Sequence, residues 1–139
     1  MLVFPDAVRG VEALLDVEIL GHTLHPVLHL PADVFEPTDD ERVVVHVQRD
    51  AVDQGAVDRV EEVRYTVYGA SLLDSTDLAE AILSFISGDG VQTPAVPDHA
   101  AAFYFDSIRH RIGPTPLDYP NNTVFPVVTV VACRARPMS

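Results

Sequence analysis

A proline-rich stretch between two runs typical of β-strands constrains the fold of this chain more than any other feature. It covers residues 112–123, IGPTPLDYPNNT, in which Pro114, Pro116 and Pro120 fall within seven residues. Proline has no backbone N–H to donate to a β-ladder, so these prolines exclude the stretch from the interior of a sheet. We therefore predict that residues 113–122 form a stiff arm between the two strands.

Two segments show the spacing of amphipathic helices. In residues 5–19 apolar side chains recur every three or four positions, Asp6 suits the first helical turn, and Gly21 can end the helix. Residues 72–87 repeat the pattern, and Ser71, Asp74 and Ser75 all offer N-cap chemistry for this helix. Both segments are predicted to be helices with one apolar stripe each.

Four further segments have the composition and alternation of strands, namely residues 43–49, 62–68, 103–112 and 124–136. The connector of residues 50–60 is long and acidic for a hairpin loop, so we expect it to protrude. The remaining segments are predicted as an extended edge segment over 24–35, a polar turn over 36–42 and a loop over 88–97.

The order helix, two strands, helix, two strands predicts an α+β fold. It consists of a mainly antiparallel four-stranded sheet with two helices packed on one face. The 139 residues are expected to form one domain, 1–139, with the protruding loop 50–60 and the proline arm 113–122. The predicted core consists of Val11, Leu14, Leu15, Val63, Tyr65, Val67, Leu78, Ile82 and Phe85.

The charge balance is strongly acidic, with 21 acidic residues against 9 basic ones, and every basic residue is an arginine. This argues against specific binding of nucleic acid, whose phosphates require Lys and Arg contacts. The N-terminus lacks a cationic segment followed by an apolar run, and no apolar run approaches membrane-spanning length. We therefore expect a cytoplasmic product without a membrane segment, and its single cysteine, Cys133, excludes a disulfide within the chain.

No catalytic, cofactor-binding or metal site is predicted. His22, His25 and His29 would share a helix face, but Pro26 argues against a helix there, so we interpret them as structural or surface histidines. The chain has neither a serine nucleophile elbow nor a phosphate-binding glycine loop, and Cys133 is interpreted as a small core residue. Arg109 and Arg111 are expected to pair with carboxylates of a neighbouring chain.

The sequence resembles the tail terminator proteins of long-tailed (siphovirus) actinobacteriophages. The family pattern is a helix of the type LAEAI, a strand, a turn like GPTPLDYPN and a final strand with an arginine-rich tip. Here these are residues 78–82, 103–112, 113–122 and 124–136, preceded by the VYGAS turn at 67–71. The resemblance covers nearly the whole chain, and its motifs are short and architectural.

The resemblance implies a structural protein of the virion and no enzyme. Such proteins form a homo-hexameric ring on the last ring of the major tail tube protein, stop tube polymerisation and join the tail to a head-completion or neck protein. Genomic DNA would pass through the ring without specific binding, which suits an acidic bore. The expected location is the neck-proximal end of the tail, after assembly in the host cytoplasm.

Two alternatives stay open, a head-completion or neck connector ring protein and a small cytoplasmic α+β enzyme or binding domain. A ring subunit benefits from stiff arms because less conformational entropy is lost on binding. We therefore expect both protrusions to contact other chains. The expected oligomer interface comprises Arg109, Arg111, Pro114, Pro116, Asp118, Tyr119 and Pro120, and the expected partner contacts are Asp50, Asp53 and Asp58.

Overall fold

The computed structural model of the chain describes residues 4, 6–30, 43–54, 58–94, 103–118 and 124–136. Within them the chain forms two helices and eight strands. In chain order these are α1 (Ala7–Leu14), β1 (Glu18–Ile19), β2 (His22–Thr23), β3 (His25–Val27), β4 (Val44–Gln54), β5 (Arg59–Gly69), α2 (Leu72–Ile86), β6 (Gly88–Gln92), β7 (Tyr104–Pro116) and β8 (Phe125–Ala135).

The described strands form a curled six-stranded mixed sheet in the order β3-β4-β5-β8-β7-β6 and a separate two-stranded sheet, β1-β2. All neighbours in the large sheet are antiparallel except β3 and β4, which are parallel. The expected four-stranded sheet is therefore wrong, and the fold is mostly β. The two additional strands of the large sheet, β3 and β6, are short edge strands whose proline- or glycine-containing sequences lack clear alternation.

The acidic connector predicted over residues 50–60 is mostly strand. β4 continues to Gln54 and β5 begins at Arg59, with a register shift between Arg49 and Ala51. This bulge admits Asp50 as an extra residue and lets the pairing continue beyond it. The hairpin is therefore longer than its alternation predicts, while residues 55–57 lie outside the described part.

The first half of the proline arm is also strand, contrary to the prediction. β7 runs through Pro114 to Pro116, which is opposite Val127 of β8. Two register shifts lie between His110 and Thr115, and the described pairing of β7 with β6 reaches only to Ile108. The prolines therefore occupy the edge of the sheet, where a missing N–H breaks no ladder. Tyr119 and Pro120 lie outside the described residues.

Both helices pack on one face of the sheet and share one hydrophobic core with β4, β5, β7 and β8. Asp6 caps α1 by accepting from Val8 N at 3.1 Å, and Ser71 caps α2 by accepting from Asp74 N at 3.1 Å. α1 ends at Leu14, earlier than predicted, because Leu20 and Gly21 turn the chain into the β1–β2 hairpin with positive φ.

The predicted core positions are confirmed with one exception. Val11, Leu14, Leu15, Val63, Tyr65, Val67, Leu78 and Ile82 are all buried. The prediction that Phe85 is buried is wrong, since its side chain is 53% exposed. The inward stripe of α2 instead runs through Leu78, Ala79, Ile82 and Ile86, which leaves Phe85 at the flank of the helix.

Candidate assembly surface

The sheet face opposite the two helices, which we call the outer face, changes from apolar to charged along its strands. It is formed by residues that alternate with the core positions, and the pairing register places them side by side. They are Val44, His46 and Gln48 of β4, Glu62, Arg64, Thr66 and Tyr68 of β5, and Val128, Val130, Ala132 and Arg134 of β8.

The apolar end of the outer face is packed by a second, smaller hydrophobic cluster. Val44, Tyr68 and Val124 are buried there, with Val27 and Leu30 against them. The neighbouring His46 contacts the backbone oxygen of Leu28 through Nε2 at 3.2 Å. This end is therefore structural.

The charged end of the outer face carries five arginines, each paired with a carboxylate. Arg64 lies 2.7 Å from Asp50, and Arg111 lies 3.0 Å from Glu62. The remaining pairs are Arg134 with Asp58 at 3.5 Å, Arg136 with Asp106 at 2.9 Å, and Arg109 with Asp89. Five of the chain's nine arginines thus lie on one face of an acidic protein.

Three of these pairs surround a surface groove of about 510 Å³, which we call the arginine groove. Its small floor residues are Val60, Ser107 and Ala132, and its walls are Asp58, Asp89, Asp106, Arg109, Arg134 and Arg136. Hydrogen bonds to Asp106 raise the pKa of the Arg136 guanidinium, so this charge is permanent. The groove therefore offers cationic hydrogen-bond donors above a floor without bulky side chains.

The arginine heads lie nearer to solvent than most of their partners. The Arg136 side chain is 70% exposed against 23% for Asp106, and Arg111 is 58% exposed against 26% for Glu62. Asp89 is the exception, since it is more exposed than Arg109. Although its charges nearly balance, the surface presents mainly guanidinium groups outward.

The structure brings the two predicted contact groups together. Arg109 and Asp58 line the arginine groove, while Arg111 and Asp53 line a smaller adjoining cavity of about 290 Å³. Asp50 is held by Arg64. Arg109 and Arg111 were expected on the strand before the proline arm and the aspartates on the loop 50–60, but the antiparallel register of β5, β8 and β7 brings Arg109 and Arg111 close to Asp53 and Asp58.

The described part of the proline arm continues from the charged end along the sheet edge. Pro116 and Asp118 are exposed and Pro114 is half-buried. Between and beside them, Ile112 is 61% exposed and Leu117 is 49% exposed. Large apolar side chains exposed beside charged groups are typical of contact surfaces between chains.

Sequence reasoning missed Arg134, Arg136, Asp89 and Asp106. The two arginines could have been found from the sequence, because residues 132, 134 and 136 are spaced two apart and therefore share one face of the sheet at the end of β8, as residues 109 and 111 do on β7. Asp89 could not be found, because β6 was predicted as a loop and the β6–β7 pairing brings Asp89 to this face.

A separate buried polar cluster links α1 to the sheet beneath the charged end. Glu61 is 2% exposed and accepts from Arg49 Nε, while Arg49 also lies 3.7 Å from the helix cap Asp6. The hydrogen bond to Glu61 raises the pKa of Arg49. Cys133 is opposite Glu61 in the register, and burial raises the pKa of its thiol. The thiol is therefore protonated and poorly nucleophilic.

Within the described ranges, no group of three histidine, cysteine, aspartate or glutamate side chains is arranged to hold a metal ion, so His22, His25 and His29 form no such group there. Neither α1 nor α2 is long and apolar enough to cross a membrane.

No family model matches the sequence, and no curated protein matches it significantly.

Proposed function

We propose that this chain is a structural tail terminator of a long-tailed phage. In this proposal it caps the tail tube as a hexameric ring, stops polymerisation of the major tail tube protein and provides the surface to which the neck protein joins. The observation that carries the proposal is the charged outer face, contiguous with an edge that exposes Ile112 and Leu117.

The segments that carry the family resemblance are neighbours in the fold, which supports the interpretation that they form one structural unit. Residues 78–82 lie in α2, and α2 packs against both β7 and β8. The proline arm connects these two strands and begins on the sheet edge. A ring subunit needs such a rigid element, because interface residues that are already ordered lose less entropy on assembly.

The arrangement of arginines and carboxylates at the charged end of the outer face also favours contacts with other proteins. Its cations sit on paired strands and are positioned by neighbouring carboxylates, an arrangement that gives directional hydrogen bonds to a partner. Guanidinium groups are enriched at interfaces because they combine donors with a planar apolar surface. The overall acidity of the chain meanwhile disfavours adhesion of the DNA that would pass through the ring.

The proposal is tested by deleting the coding sequence of this chain from the virus that carries it and imaging the particles in lysates. We expect tubes of variable, excessive length without attached heads, because an uncapped tube end continues to grow. Supplying the chain from a plasmid should restore the normal length. Tails of normal length without heads would instead indicate a neck connector, and normal infectious particles would contradict a role in the tail.

A further inference from the structure

The outward side of α2 is acidic and carries an exposed apolar residue near each end. Asp74, Asp77 and Glu80 are exposed, and the helix contains no basic residue. Leu73 is 68% exposed near its start and Phe85 is 53% exposed near its end. At the helical rise these two side chains lie about 18 Å apart along the helix axis.

The arginine groove on the other side of the sheet offers guanidinium donors to the acidic residues of this helix, with three arginines beside three aspartates in its lining. Its guanidinium groups face solvent, whereas its floor of Val60, Ser107 and Ala132 has room for a helix side chain. The strands that line the groove, from β5 to β6, span three strand spacings, about 14 Å, which is the length of about nine residues of a helix.

We propose that α2 of one copy docks into the arginine groove of the next copy, with Asp77 and Glu80 facing Arg109 and Arg134. The contact is heterologous, because the two surfaces lie on opposite sides of the sheet. Copies joined in this way form a closed ring when the rotation between them closes. The ring itself rests on the proposed function, and the inference adds which two surfaces build it.

The existing arginine–aspartate pairs permit this contact. Exposed ion pairs contribute at most about 1 kcal/mol, so their rearrangement costs little. Each guanidinium has five N–H donors, and the contacts with Asp58 and Asp89 leave donors for an incoming carboxylate. An approaching helix would also exclude water from these pairs and strengthen them.

The test uses two variants, each altered on one surface. The groove variant combines Arg109→Glu with Arg134→Glu, and the helix variant combines Asp77→Arg with Glu80→Arg. Arg9→Glu and Asp16→Arg are matched controls, because both residues lie on or beside α1, away from the groove. Circular dichroism melting verifies the fold of each variant, and Arg109→Gln with Arg134→Gln replaces the groove variant if it unfolds.

Sedimentation velocity then reports the assembly state. We expect the wild type and both controls to form the same ring, and each altered variant to associate at least about tenfold more weakly. An equimolar mixture of the two variants should form rings again in which the two variants alternate, because each contact then pairs an acidic surface with a basic one. A chain carrying both sets of reversals should form rings again.

Three outcomes would overturn the inference: variants that assemble like the wild type, a mixture of the two variants that does not assemble, and a wild type that is monomeric at about 1 mM, where even a weak contact would be occupied. Particle imaging keeps this result separate from the proposed function. If the groove and helix variants both cap tails at normal length, the docking inference is wrong while the capping role stands.

Discussion

Replacing Gly113 with alanine should destabilise the protein by acting on the start of the proline arm. Gly113 has φ +88°, a conformation that costs a residue with a side chain about 1–2 kcal/mol. An added Cβ would also lie 2.4 Å from the backbone oxygen of Val128 and 3.1 Å from Thr115 N. These are backbone atoms of the β7–β8 pairing, which cannot move aside as a flexible side chain can, so overpacking adds about 1–3 kcal/mol.

The expected total is a loss of about 2–5 kcal/mol of unfolding free energy for Gly113→Ala. Gly21→Ala is the matched control, since Gly21 has φ +78° but no atom within 4 Å of its added Cβ. It should lose only the conformational part, about 1–2 kcal/mol. The difference between the two variants therefore measures the contact of the arm with β8.

Urea denaturation followed by circular dichroism gives both free energies, and thermal melting should show midpoints lower by about 4 °C per kcal/mol. Equal losses in the two variants would refute the reasoning, because they would show that the position of the arm against Val128 places no steric demand on residue 113.

Three further predictions concern the core. Arg49→Ala should cost about 1–3 kcal/mol in urea denaturation, because it leaves the carboxylate of Glu61 buried without its main donor; an unchanged midpoint would show that this pair stabilises nothing. Tyr65→Phe should cost about 0.5–1.5 kcal/mol by removing the 3.0 Å bond from its hydroxyl to Ala79 O, and a loss above that range would indicate a further role. Cys133 should react with a maleimide slowly when folded and quickly in urea. Because burial raises the pKa of the Cys133 thiol, this thiol ionises in the unfolded chain before it does in the folded one as the pH rises above 9.0, so the free energy of unfolding should fall with pH there. The fall should be smaller in Cys133→Ala, and the same dependence on pH in the variant would contradict this reasoning.

The elements with a long, regular pattern were predictable from the sequence. The two helices and eight of the nine core positions follow from periodicity. Asp6, expected in the first turn of α1, is its N-cap, and Ser71 was one of three candidates for the N-cap of α2. Phe85 was wrong because its spacing fits the apolar stripe of α2, whereas the sheet contacts a narrower arc of the helix. β3 is an edge strand inside the segment 24–35 that was expected to be extended, whereas β6 depends on pairing with β7, which local patterns do not contain.

The prolines of the arm were predicted only in part from the local sequence. Pro114 and Pro116 were excluded from a sheet interior, and indeed they lie at an edge; the expectation that they leave the sheet was wrong, because an edge strand tolerates a missing donor. Arg109 and Arg111 were expected to pair with carboxylates of a neighbouring chain, whereas the structure pairs them within the chain, with Asp89 and Glu62. Asp89 reaches Arg109 only through the β6–β7 pairing.

The proposed capping role is tested most directly by locating the chain on intact particles. Virions assembled with a chain that carries a small affinity tag can be decorated with gold-labelled antibody and imaged by electron microscopy. We expect label on every tail, at the neck-proximal end, in the amount that one hexameric ring gives. Label spread along the tube, or particles of normal length that contain none of the chain, would contradict the account.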